Sequence, residues 1–252
     1  MVPVRNEIAI SVYAPTLVGD EKRPLAIAQG MERALPDLRL AWTTSEKEDL
    51  IPLPNRDQGL ATDKTNGGFF FLCNNDDDRL VTLSGSENPL GLAADGVPHF
   101  EVHASLPLDT ASIAAAAEVL AAIGEFALAF WGHATPFDAG VAIAEQTSPT
   151  LEGPPRPPRG LPALKLPEKI RSPEIPHRLG WLNYWSTAAA KTIGFPDPAR
   201  DAELLSRARR TESGGWVVQL TDAPLDLDNP AHLDALKRAY ERFPEIGGRG
   251  SP

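Results

Sequence analysis

Apolar and polar residues alternate from Glu7 to Tyr13 and again from Pro98 to Leu106, which is the period of a strand with one buried face. Two shorter apolar runs, Phe69 to Leu72 and Leu80 to Leu83, flank the polar stretch Asn74-Asn75-Asp76-Asp77-Asp78-Arg79, and together they predict a β-hairpin. After Pro24 the period lengthens: Leu25, Ala28 and Leu35 fall on one side of a helix that Pro24 suits as a first-turn residue and Pro36 ends. Leu38 to Thr43 reads as a second strand, and the polar, proline-bearing stretch from Thr44 to Asn66 as an irregular excursion. From Ala111 to Trp131 the only charges are Glu118 and Glu125, seven positions apart and on one helical face, while Val119, Ile123, Phe126 and Phe130 share another. An amphipathic helix capped by Asp109 fits this better than a membrane span, which rarely carries two central carboxylates.

Nine prolines fall in the 28 residues from Pro149 to Pro176, with PPRPPRG near the centre, so this segment is expected to be extended. It reads as a wrapping linker or as a ligand for proline-binding modules. Beyond it, Leu179 to Trp185 is aromatic-rich, Ser186 to Ile193 is helical and stopped by Gly194 and Pro196, and Asp197-Pro198 opens a helix through Leu205. Trp216 to Leu220 forms a short strand behind Gly214-Gly215. A last helix runs from Pro230 to Phe243, with Asp228 or Asn229 as its cap and Leu233, Leu236 and Tyr240 inward. The expected fold is α+β: one domain over residues 1–252, mainly antiparallel sheet with packed helices. Two loosely similar βα-rich halves, residues 1–146 and 177–252, are joined by a proline-rich connector over 147–176.

Charge narrows the function classes. The net charge of −10 disfavours nucleic acid and anionic membrane as ligands and favours a basic protein partner. The charge is also lopsided, with eleven acidic against four basic residues between Thr43 and Glu101, and six basic against three acidic between Leu151 and Trp181. The single cysteine, Cys73, follows an apolar run and is expected to be a buried thiol, and no secretory signal opens the chain, so a cytoplasmic location is expected.

Candidate chemistry is sparse. His99, Glu101 and His103 alternate along a predicted strand, which would place two imidazoles and a carboxylate on one face, as in a metal-dependent hydrolase; an ordinary solvated strand face has the same pattern. Asp76, Asp77 and Asp78 lack the spacing of a calcium loop and suit a solvated turn. Ser84-Gly85-Ser86 is not a nucleophile elbow, and there is no phosphate loop, dinucleotide fingerprint or zinc-protease motif. His133 follows the end of the predicted helix, where an imidazolium would favourably meet the helix dipole. Trp181, Tyr184 and Trp185 fit either a binding platform or core. No cofactor is expected.

The stretches RLGWLNYWS, IGFPDPARD and GGWVVQLTDAPLDLDNPAHLDALKRAYERFP, with weaker support from SVYAPTLVGD and the alanine-rich helix, give the chain its family character. Over most of its length it resembles the immunity-52 family of bacterial polymorphic toxin systems and a related uncharacterised myxobacterial family. The resemblance implies an intracellular antitoxin that is not an enzyme and that blocks a cognate toxin, often a nuclease. It carries no catalytic residues over. A nuclease holds phosphates with Lys and Arg, so an acidic surface can fill the same groove. On that reading Asp76, Asp77 and Asp78, or Asp222, Asp226 and Asp228, present charge to the toxin, with Trp181 or Trp185 supplying apolar contact.

Overall fold

A computed structural model of the chain describes residues 6–17, 22–45, 47–62, 68–88, 96–155 and 157–250. Its frame is one ten-stranded antiparallel sheet. Strand β1 (Glu7–Pro15) lies near the middle, and Ile8, Ile10, Val12 and Ala14 all point to one face and are fully buried. It pairs on one side with β6 (His99–Pro107) and on the other with β7 (Trp131–Pro136). Beyond β6 come β5 (Thr82–Asn88), β4 (Gly68–Cys73), β2 (Trp42–Thr44) and the edge strand β3 (Leu50–Pro52). Beyond β7 come β8 (Leu182–Trp185), β10 (Trp216–Gln219) and the edge strand β9 (Ala208–Arg210). The two halves are therefore fused through the β7–β8 pairing into a single sheet, which makes the fold α+β as expected.

Helices α1 (Arg23–Ala34) and α3 (Thr110–Phe126) cover the face that carries Ile10 and Val12. Asp109 caps α3 by accepting from the Ser112 N–H at 2.8 Å, as its position in the sequence implied. Where α3 crosses β8 the approach is so close that a Cβ at Gly124 would sit 2.8 Å from the Tyr184 ring. Trp185, the next residue along β8, points the opposite way and meets Phe195 and Phe243 edge-on, at 5.1 and 5.3 Å between ring centres. Phe243 caps α7 (Pro230–Arg242), so the second face is roofed by that helix, by α5 (Thr187–Ile193), and by α4 (Phe137–Thr147) beside β1 and β7.

The connector is extended, but much of it is packed. Pro154, Pro155, Pro157 and Pro158 are exposed, whereas Leu161, Leu164, Ile170 and Ile175 are buried. Backbone bonds tie Leu164 to Thr147 and Lys165 to Gly247, at 2.8 and 2.9 Å.

Several expectations are corrected. The long helix stops at Phe126, where Leu128 takes a left-handed φ of 54°, and the chain then enters β7 and α4. His133 is therefore a strand residue and caps no helix. Residues 38–41 are not a strand, because that pairing begins only at Trp42. The stretch read as an irregular excursion contains β3 and α2 (Arg56–Thr62), and the helix expected from Asp197 begins at Ala202 (α6, Ala202–Ser206). Cys73 is buried and free. Among the described residues no helix is long and apolar enough to cross a membrane.

Candidate functional site

The registers set out the second face of the sheet in rows. Ser84, His103, Ser11, His133 and Asn183 lie across five adjacent strands, and one row away lie Ser86, Glu101, Tyr13, Trp131 and Trp185. Polar side chains thus fill the β5–β6 part of this face, with Ser86 and His103 exposed, while aromatic rings fill the part under the connector.

Glu101 is the hub of the polar part. Its Oε1 receives His99 Nε2 at 2.7 Å and also the Asn88 amide, and its Oε2 meets His103 Nε2 at 3.2 Å. Burial pushes this carboxyl up, but the hydrogen bonds and charges of His103 and His99 outweigh burial and bring it down to about 2. The three residues singled out by their alternation therefore do meet. Yet both Nε2 atoms are committed to the carboxylate, and among the described residues no set of three His, Cys, Asp or Glu has the geometry to hold an ion.

Ser11 Oγ lies 3.2 Å from His103 Nδ1, completing a serine–imidazole–carboxylate chain. Ser11 stands mid-strand, opposite His103 of β6 on one side and His133 of β7 on the other. Such a chain can pass a proton between Ser11 Oγ and the Glu101 carboxylate through the His103 ring.

Under the connector lies a cavity of about 130 Å³ with Tyr13, Trp131, Ile170, Ile175, His177 and Arg178 in its wall. Tyr13 stacks on Trp131 at 4.1 Å, and burial, with Glu101 nearby, pushes its hydroxyl up to about 12. Burial, with the Arg178 charge adding, lowers His133 to about 3 and His177 to about 4; His177 Nε2 lies 3.2 Å from the Lys165 carbonyl. Both imidazoles are held below their ordinary 6.5, so the unfolded chain takes up their protons first. Their contribution to stability is fully present above about pH 6.5 and is lost as the pH falls towards 4; that of Glu101 is present above about 4.5 and lost towards 2. Thermal melts should accordingly show a midpoint that falls steadily from pH 7 to pH 4, with His133→Asn flattening the upper part. A midpoint constant over that range would contradict this placement of the imidazoles.

The acidic runs occupy loops leaving the same end of the strands, opposite the ends that carry Tyr13, His99 and Trp131: one follows β4 and the other follows β10. Asp76 is spent on its own turn, its Oδ1 accepting from the N–H groups of Asp78 and Arg79 at 3.1 and 3.0 Å. Arg79 reaches away to Asp109 at 2.9 Å, which leaves the carboxylates of Asp77 and Asp78 exposed with no partner among the described residues. The second run is partly neutralised: Asp228 pairs with Arg159 at 2.7 Å, Asp222 lies 3.6 Å from Arg207, and Asp226 accepts from the Asp228 N–H. Trp181 and Trp185 are corrected outright. They are 2% and 1% exposed, Trp181 donates its indole N–H to the Thr221 carbonyl at 2.9 Å, and neither has surface to offer a partner.

Sequence reasoning did not identify Ser11, Tyr13, Asn88, His177 or Arg178 as neighbours of the histidines. Alternation along β1 puts Ser11 and Tyr13 on one face, but only the register brings that face beside His103 and Glu101.

Among solved structures the chain is similar to the Pseudomonas aeruginosa T6SS protein PA0821, with a TM-score of 0.57 and 16% identity, covering 94% of this chain and 72% of that one. At that identity the likeness is one of fold. No curated protein matches. A family model does, taking in residues 19–251, and by that match the chain belongs to the family described as a domain of unknown function, DUF5953.

Proposed function

We propose that this protein is an immunity protein, which binds a cognate bacterial toxin in the cytoplasm and neutralises it without catalysing a reaction, the target class being a basic nuclease domain. The observation that carries the reading is the uncompensated pair Asp77 and Asp78, both exposed in the β4–β5 turn. A protein that must cover a phosphate-binding groove needs carboxylates that its own Lys and Arg have not already neutralised. Support also comes from the family resemblance in the C-terminal third and from the fold shared with a protein named for the T6SS.

The two acidic runs do not act together. Six strand spacings separate β4 from β10, roughly 29 Å at about 4.8 Å per strand. A twist of about 20–25° per strand accumulates to roughly 120–150° over that distance, so the loops face different directions. The less neutralised one, at Asp77 and Asp78, is assigned to the toxin.

The test is to look for a toxin-like reading frame beside this gene and, with the toxin found there, to co-express the two. Growth restored by the intact chain supports the reading, and toxicity that persists despite soluble, folded protein overturns it.

A further inference from the structure

Among the described residues that line the cavity, Arg178 is the one with a buried polar atom left without a partner. Its guanidinium makes no hydrogen bond and no ion pair among the described residues, and its Nε is buried with no partner. Glu101 shares the cavity wall, but its oxygens are taken up by His99, His103 and Asn88 and neither is paired with Arg178. A half-buried cation without a partner is costly, and the cost is relieved when an anion enters. Tyr13, His133, His177 and Tyr240 all feel the charge of Arg178, which places it inside the packed region beneath the connector.

The walls define the rest of the ligand. The stacked pair Tyr13 and Trp131, with Phe130, Ile170 and Ile175, offers apolar and aromatic surface that does not suit a heavily hydrated, multiply charged ion. The volume of about 130 Å³ is close to that of an engineered cavity of about 150 Å³ that holds a benzene ring. We propose that the cavity between the β1–β6–β7 face and the proline-rich connector binds a small organic monoanion, a carboxylate carrying a ring-sized apolar group, with Arg178 holding the carboxylate and the Tyr13–Trp131 stack holding the ring. The site lies towards the opposite strand ends from Asp77 and Asp78, so it is separate from the toxin surface, and neither proposal stands or falls with the other.

Sodium benzoate, benzyl alcohol and inorganic phosphate at constant ionic strength provide the test, by calorimetry and thermal melting of the full chain. Benzoate is expected to bind saturably with one-to-one stoichiometry and to raise the melting midpoint. Benzyl alcohol, with the same ring but no charge, should bind at least about tenfold more weakly, and phosphate should give no saturable heat. Arg178→Gln should weaken benzoate roughly ten- to a hundredfold, in line with the loss of a charge-assisted hydrogen bond. Should that variant not fold, the ratio of benzoate to benzyl alcohol on the intact protein decides the matter alone. The proposal is overturned by any of four results: no saturable binding of benzoate at millimolar concentration, equal binding of benzyl alcohol, phosphate bound in preference to benzoate, or undiminished benzoate binding by a folded Arg178→Gln protein.

Discussion

Replacing Asp201 by alanine is expected to lower the unfolding free energy by about 3–5 kcal/mol, the range for removing one partner of a buried ion pair. Asp201 is 1% exposed, and each of its oxygens is used. Oδ1 receives Arg242 Nε at 2.6 Å, while Oδ2 receives Arg242 Nη2 at 2.9 Å and the Asp197 N–H at 2.7 Å. Arg242 also donates to the Gly194 carbonyl at 2.8 Å, so one guanidinium ties the end of α7 to the turn after α5 and to the start of α6. Truncation leaves that largely buried guanidinium without its carboxylate, with the Gly194 carbonyl still accepting from it, and most of the loss comes from there. Asp201→Asn, which keeps one carbonyl acceptor, should lose less. Urea unfolding of the three proteins measures the difference, and a loss below about 1 kcal/mol for alanine would mean that the pair behaves as an exposed one.

The second large effect is kinetic. Reversing two exposed charges, Asp77→Lys with Asp78→Lys, should slow association with a basic toxin about tenfold or more at low salt and flatten the dependence of that rate on ionic strength, because steering acts through the field before contact. The same reversal at Asp222 and Asp226 should change the rate far less, since Arg207 lies near Asp222 and that loop faces another direction. Stopped-flow association at two salt concentrations distinguishes the patches. Equal rates for both double variants and the intact protein would remove both runs from the interface.

Much of the fold was legible in the sequence, for reasons that differ from element to element. The alternation in β1 and β6 survives because one face of each is buried and the other polar. The last helix announces itself through Asn229, whose side chain accepts from Ala231 N–H at 3.0 Å, and through Pro230 in its first turn. Strand β7 was hidden because it is covered on both faces, and a strand so placed reads as a continuation of an apolar helix. The turn before it is made by Leu128 in a left-handed conformation, with no glycine or proline to mark it.

The site was legible only along single strands. Alternation grouped His99, Glu101 and His103, but the partners that define their chemistry, Ser11, Asn88 and Tyr13, arrive through pairing across strands, and Arg178 through the folding-back of the connector. The tryptophans show the reverse failure. Their number marks a rich source of apolar contact, but composition does not say whether a ring is displayed or enclosed, and here Trp181 and Trp185 are enclosed.

The most direct measurement mixes the purified chain with the basic nuclease toxin proposed as its partner, sought in the neighbouring reading frame, and follows complex formation and toxin activity by titration. The expected result is a stoichiometric complex in which toxin activity falls in proportion to the chain added, while the chain itself turns over nothing. Absence of a complex, or inhibition by substoichiometric amounts of chain acting as a catalyst, would contradict it.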